Sequence, residues 1–379
     1  MIKSKQYELL YAGIYCGDWV SPKNILNPVI PFKNKFGNTC WNIENHNDQC
    51  HALPDVINGL MHGYSFKCKK ALLYRQDEQK TLFKDYINMV FRIKAEEDVL
   101  QESGSPLYNP VRRMVAKLYM NSLYGKLQEK RRDRAEAFIA CNADMHKFLK
   151  DNEWTDVMKV GEKILVIGYK KEFQNTVKKP VQLGAYILAY SRQIMNCYMD
   201  RLDESRLSIT NRESLKKSLD NTYFYSDTDS MFIHNSNIHK ITMGSEMGAL
   251  SDELKGGKIV EYYGIAPKLY ACKILLPSGK TEYKLRGKGI INKELQFDDF
   301  KKLIVNEQVE KTFFMMKKIR LNISKAERDQ GANEFSIRGF NCSRTLNKTL
   351  YTGRDIVIDP EFGEITLPIG FNKDILNIY

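Results

Sequence analysis

The chain has 379 residues, 43% hydrophobic and 27% charged, with a formal net charge of +12. That composition supports a buried core and excludes a disordered, collagen-like or low-complexity chain. The excess of 58 Lys and Arg over 46 Asp and Glu is read either as a generic basic surface or as the mark of an anionic partner, nucleic acid or a membrane surface.

Residues 1–75 are expected to be β-rich and irregular, with turns at Ser21-Pro22, Asn27-Pro28, Phe36-Gly37 and His62-Gly63. From Lys80 the period becomes helical, with Leu82, Tyr86, Met89, Val90 and Ile93 on one face. The breaker-rich stretch 101–110 then separates this helix from a second one, running from Val111 past Tyr124. Two helices on a short loop read as an antiparallel α-hairpin. A strand is expected at Ile164–Tyr169, and a helix after Pro180 carries Leu183, Ile187, Ile194, Tyr198 and Leu202. Residues 203–221 read as a loop or exposed helix. A β-hairpin follows around Tyr225–Ser230, then a strand pair over 268–291 turning at Pro277-Ser278-Gly279. A helical stretch at about 297–318 and a β-like tail complete the chain.

Eight cysteines occur without a CxxC pair, so reduced thiols are expected. Cys40, His46, Cys50 and His51 match no standard zinc spacing. No run of about 18 apolar residues is present, and the first residues lack a signal-peptide core, so a non-secreted chain without a membrane span is expected.

The sharpest chemical feature is Asp227-Thr228-Asp229 at a tight turn between apolar runs. Two carboxylates at i and i+2 are costly together unless they are solvated or neutralised by a divalent cation. Mg²⁺ takes one or two carboxylates and leaves its other positions to water and phosphate oxygens, which suits two-metal phosphoryl transfer. Taken alone, the pair also reads as a plain acidic turn. On the second helix of the α-hairpin, Lys117, Asn121 and Tyr124 lie at i, i+4 and i+7, and Arg113 extends the stripe by a turn. Such a face fits a nucleotide, or is simply solvated.

Together these strings resemble the family B DNA polymerases. Lys117 followed by Asn121-Ser122-Leu123-Tyr124-Gly125 is similar to their Kx3NSxYG motif. Tyr225-Ser226-Asp227-Thr228-Asp229-Ser230 is similar to YxDTDS, and Lys268-Leu269-Tyr270 to KxY, in the family's order. Leu82–Tyr86 with Arg92–Lys94 resembles the first finger helix of the protein-primed branch. Gly184–Arg192 sits at that branch's Tx2(A/G)R element, of which only Arg192 carries over.

The resemblance implies an α+β right-hand polymerase: partial palm over 1–79, helical-hairpin fingers over 80–130, the rest of the palm over 131–290 with an insertion at 131–180, and thumb and tail over 291–379. It implies that Asp229, assisted by Asp227, holds two Mg²⁺ ions. Lys117, Arg113 and Lys94 would bind the triphosphate, and Asn121, Tyr124 and Gly125 would shape the base-pair pocket. Tyr225, Lys268, Tyr270 and Arg192 would contact DNA, with Lys117 and Lys268 also serving catalysis. The implied partners are primer–template DNA, dNTPs and a terminal priming protein. The family's DxxSLYP carboxylate has no match; Asp18 and Ser21 have its spacing without Leu-Tyr. The exonuclease motifs are also unmatched. The chain is therefore expected to lack an N-terminal polymerase portion that supplies the second ligand, as a fragment or as one subunit of a split enzyme. The competing expectation is a DNA-binding remnant without catalysis.

Overall fold

A computed structural model describes residues 11–34, 39–75, 81–128, 134–160, 163–170, 180–221, 223–244, 246–254, 256–287, 290, 292–305, 308–317, 338–346 and 354–376. The chain divides into two compact units, one of residues 1–79, 185–316 and 339–379, the other of 80–184 and 317–338. One unit boundary falls between residues 79 and 80, and residues 131–184 group with the α-hairpin. Among the described residues helices alternate with antiparallel strand pairs and no parallel βαβ unit occurs, which makes the class α+β.

In the first unit β1 (Gly13–Val20) is the centre of a three-stranded sheet. Strands β2 (Phe32–Lys33) and β3 (Thr39–Cys40) form a small pair beside it in sequence. β4 (His46–Ala52) and β5 (Ser65–Leu73) flank β1. β1 alternates in burial: Tyr15 and Trp19 face the core, while Cys16 and Asp18 face the other way. Cys16 and Cys50 lie directly opposite in the β1–β4 register, with Cα atoms 4.1 Å apart, and are joined by a disulfide. This corrects the expectation of reduced thiols for that pair, because cross-strand register is invisible to residue spacing; Cys40, Cys68, Cys141, Cys197 and Cys272 are free, as expected. The four Cys and His residues weighed for zinc do not assemble either. Cys50 is oxidised, the Cys40 thiol donates to the Phe32 carbonyl, and His46 and His51 bond Asn42 and Pro31 separately.

Between β4 and β5 runs α1 (Leu53–Met61), a helix where only irregular structure was expected. Pro54 sits in its first turn, where a missing N–H costs nothing. Val56 and Leu60 bury against Trp19, Phe32 and Phe66 in the main core. That core also takes in Val357, Ile365 and Leu367 from the hairpin of β16 (Arg354–Asp359) and β17 (Gly363–Pro368). The C-terminal residues read with the thumb thus complete the N-terminal core.

In the second unit α2 (Lys84–Glu102) and α3 (Pro110–Gln128) form the expected α-hairpin. Asn109 caps α3, its Oδ1 accepting from the N–H groups of Val111 and Arg112 at 3.0 Å. Pro110 follows as the first helical residue. A three-stranded sheet of β6 (Arg134–Ile139), β8 (Lys163–Lys170) and β7 (Asn152–Val160), with α4 (Asn142–Asp151), fills the described part of the expected insertion.

Helix α5 (Val181–Leu202) starts where Pro180 predicts, and Tyr198 and Leu202 of the expected apolar stripe are buried. Ile187 and Ile194 are exposed. Arg192, Asn196 and Asp200, at i, i+4 and i+8, turn inward instead to Asp55, the Val29 carbonyl and His62. After a 3₁₀ turn and α6 (Arg212–Asn221) comes the hairpin of β9 (Tyr223–Asp227) and β10 (Ser230–Ile233). β11 (Lys258–Ala266), β12 (Leu269–Leu275) and β13 (Thr281–Arg286) form a meander whose second turn places Gly279 at φ 80°, as the Pro-Ser-Gly signal predicts.

The helix expected over 297–318 is shorter. α7 (Phe297–Ile304) is followed by β14 (Val309–Lys317), which pairs with β15 (Arg338–Leu346). The run from Val309 to Phe314 is rich in β-branched and aromatic residues, and that preference prevails there.

Candidate active site

The acidic hairpin is a tight two-residue turn. Asp227 and Ser230 pair across it, leaving Thr228 and Asp229 at the tip. Thr228 has φ 61°, and the Asp229 N–H donates to the Asp227 carbonyl at 2.7 Å. A three-residue hydrogen bond around a positive φ is a γ-turn of the rare, strained type. For a β-branched residue that conformation is an outlier, so the turn stores strain where the two carboxylates sit.

The turn is latched to the β11–β12 connection. Pro267 and Lys268 are the two residues between the paired Ala266 and Leu269. Lys268 has φ 63°, a position glycine favours. Its backbone N–H donates to the Tyr225 phenol oxygen at 2.9 Å, and its ammonium ion-pairs with Asp227. Tyr225, Phe232 and Tyr270 pack with ring centroids 5.2–5.7 Å apart, and Tyr262 stacks edge-on against Phe232. Burial pushes the Tyr225, Tyr262 and Tyr270 phenols up, so this cluster stays neutral at physiological pH. The Asp227 carboxylate raises the Lys268 ammonium. Asp229 is exposed, and its carboxylate has no hydrogen-bond or ion-pair partner among the described residues.

Among the described residues no group of three or more His, Cys, Asp or Glu side chains converges as a metal site. The hairpin offers one open carboxylate and one held by a lysine. A hard cation that keeps several waters and phosphate oxygens needs no more than one or two, so this donor set fits Mg²⁺. Asp18 is engaged elsewhere: it accepts from Lys69 at 2.7 Å and from the Asp48 N–H at 3.1 Å. Lys69 first, then the Asp48 N–H, holds its carboxyl below the ordinary range.

The expected nucleotide residues lie on the α-hairpin. Lys117, Asn121, Tyr124 and Gly125 are exposed on α3. Lys94 and Arg113 are brought together by Asp98, which accepts from both at 2.6 Å. Asp98 was missed in the sequence, although its i, i+4 spacing from Lys94 is a readable signal. Burial pushes the Asp98 carboxyl up, but the two cations prevail and hold it low. Beside it, Glu97 is buried and accepts from the Asn109 N–H and from Arg112 at 2.8 and 2.7 Å, which fixes the interhelical loop.

Arg192 is not an open cation. Its Nε and Nη2 form a fork on the buried Asp55 carboxylate at 2.8 and 2.6 Å, tying α5 to α1. Its partner lies 137 residues away in sequence, so no local pattern announces it.

Paired carboxylates on a strained turn, with a cation and an aromatic latch beside them, are suited to divalent-cation and phosphate chemistry. The family of type B DNA polymerases, organellar and viral, matches residues 1–205, and the chain belongs to that family. The match ends before the acidic hairpin, whose reading stays with its own motif. Among curated proteins, the chain is 26% identical over 273 residues to a protein of Ascobolus immersus named "Probable DNA polymerase", covering 71% of this chain and 20% of that one. It is 25% identical over 223 residues to a "DNA polymerase" of Kluyveromyces lactis, covering 54% of this chain and 20% of that one. The chain thus spans about one fifth of the length of these relatives. No solved structure matches it. Among the described residues, no helix is long and apolar enough to cross a membrane.

Proposed function

We propose that the chain is the polymerising part of a DNA-directed DNA polymerase of the protein-primed branch, with a right-hand architecture, serving replication of viral or mobile-element DNA. The observation that carries this reading is the strained Asp227-Thr228-Asp229 turn latched through Tyr225 to Lys268 and Tyr270. Three separate strings that resemble the family's motifs follow its sequence order, and two of them, around Tyr225 and Lys268, meet in this one latch.

Asp229, with Asp227, would hold Mg²⁺, which when bound would supply neutralisation of phosphate charge and ease ionisation of the attacking hydroxyl. Lys117, Lys94 and Arg113 bind the triphosphate, and Asn121, Tyr124 and Gly125 contact sugar and base. Lys268 and Tyr270 steady the primer end, and Tyr225 holds the turn that carries Lys268. Arg192 acts from beneath, fixing α5 rather than gripping the duplex. The 3′-hydroxyl, or a protein hydroxyl at initiation, attacks the α-phosphorus; the P–O bond to the β-phosphate breaks and pyrophosphate leaves. Positioning and charge neutralisation supply the catalysis.

Primer extension with Mg²⁺ and four dNTPs tests the reading. Incorporation that Asp229→Ala abolishes is the expected result. Duplex binding with steep salt dependence and no incorporation would instead support the DNA-binding remnant.

A further inference from the structure

Lys268 occupies a turn position that disfavours any side chain. It follows Pro267 between two paired residues and has φ 63°, where glycine is the unstrained choice. A lysine at such a position points to a use for its side chain. The structure aims that side chain at the acidic hairpin: the Lys268 N–H is pinned by Tyr225 and the ammonium rests on Asp227. Asp229, two residues further on, is left without a partner among the described residues.

We propose that Lys268 is a built-in counter-cation of the acidic turn, which occupies Asp227 before any divalent ion arrives and competes with that ion for it. This rests on reading Asp227 and Asp229 as cation-binding carboxylates. Without the lysine, two like charges would share one turn, two residues apart. With it, the pair carries one net negative charge, and only Asp229 is open. The ion pair is suited to exchange rather than permanence, because Lys268 is 57% and Asp227 32% exposed. Exposed pairs are weak and screened, so a doubly charged ion brought with a triphosphate displaces the ammonium, while a stray cation alone meets a competitor. Lys268 then becomes a free cation beside the turn, released by the same event that fills it.

The test uses Tb³⁺ alone, titrated into the purified full chain, with luminescence excited through tyrosine; Tyr225 lies next to the site. Lys268→Met is expected to tighten terbium binding by roughly threefold to fivefold, the worth of an exposed ion pair. Adding Asp227→Asn to Lys268→Met should erase the gain. Lys268→Gly, which relieves the turn, should show the same tightening and guards against a misfolded Met variant. Equal or weaker binding in both Lys268 variants, or no emission from any of them, overturns the proposal. Asp229→Asn separates the two layers. Emission that disappears in that variant but is indifferent to Lys268 overturns only the counter-cation role. Emission that survives it overturns the reading of the hairpin as a cation site.

Discussion

The backbone N–H of Lys268 donates to the phenol oxygen of Tyr225 at 2.9 Å, across 43 residues of sequence. Through that bond the turn after β11 and the acidic hairpin become one unit, and the ammonium of Lys268 reaches Asp227.

Replacing Lys268 by Gly should therefore separate stability from function. Relief of the left-handed backbone gains roughly 1–2 kcal/mol. Glycine's extra chain entropy takes back roughly 0.5–1 kcal/mol, and the lost exposed ion pair about 0.2–1 kcal/mol. The melting temperature should stay within a few degrees of wild type while primer extension falls steeply. A cooperative loss of stability, measured by thermal melting, would mean that the lysine is structural.

Arg192 should behave as a strut. Arg192→Met leaves the buried Asp55 charge unpaired, at a cost of about 3 kcal/mol, and Asp55→Leu together with Arg192→Met should recover most of it. Lysine should not rescue, because it cannot form the fork. Urea denaturation checks the stability. Unchanged stability with weakened duplex binding would make Arg192 a DNA contact instead.

Acid should loosen the α-hairpin. The Asn109 N–H, then Arg112, holds Glu97 below the ordinary carboxylate range, and Lys94 and Arg113 overcome burial to do the same for Asp98. A lowered folded-state pKa gives stability that is fully present above the unfolded value, about 4, and is lost as pH falls through the folded value. Melting temperature against pH should decline below about 4, and Glu97→Gln should start lower and decline less. A Glu97→Gln curve parallel to wild type would contradict this.

The Cys16–Cys50 disulfide closes a loop of sequence separation 34. Loop-closure entropy puts its contribution at about 3–4 kcal/mol. Reduction with dithiothreitol should lower the melting temperature, and Cys16→Ser should match the reduced protein. A melt indifferent to reductant would show that the staple contributes nothing.

The sequence made some of this legible for physical reasons. The α-hairpin, α5 and the acidic β-hairpin follow from local periodicity, Pro and turn residues, and they carry the motif residues. α1 also has a helical period in Val56 and Leu60, but it was hidden among turn signals at both ends. The rest depends on distant partners. The inward stripe of Arg192, Asn196 and Asp200 is polar, so a search for apolar spacing finds Tyr198 and Leu202 on α5 but misses the polar residues that turn inward with them. The disulfide needs the β1–β4 register. The positive φ of Lys268 and its bond to Tyr225 leave no trace in composition or spacing.

The central claim is that the Asp227–Asp229 turn serves nucleotidyl transfer. Primer extension with Mg²⁺ and four dNTPs, run on wild type and Asp229→Ala beside a duplex-binding titration, tests it most directly. The account predicts extension by wild type, a loss of at least about 100-fold in the variant, and nearly unchanged duplex affinity. Equal extension by the two proteins would contradict it.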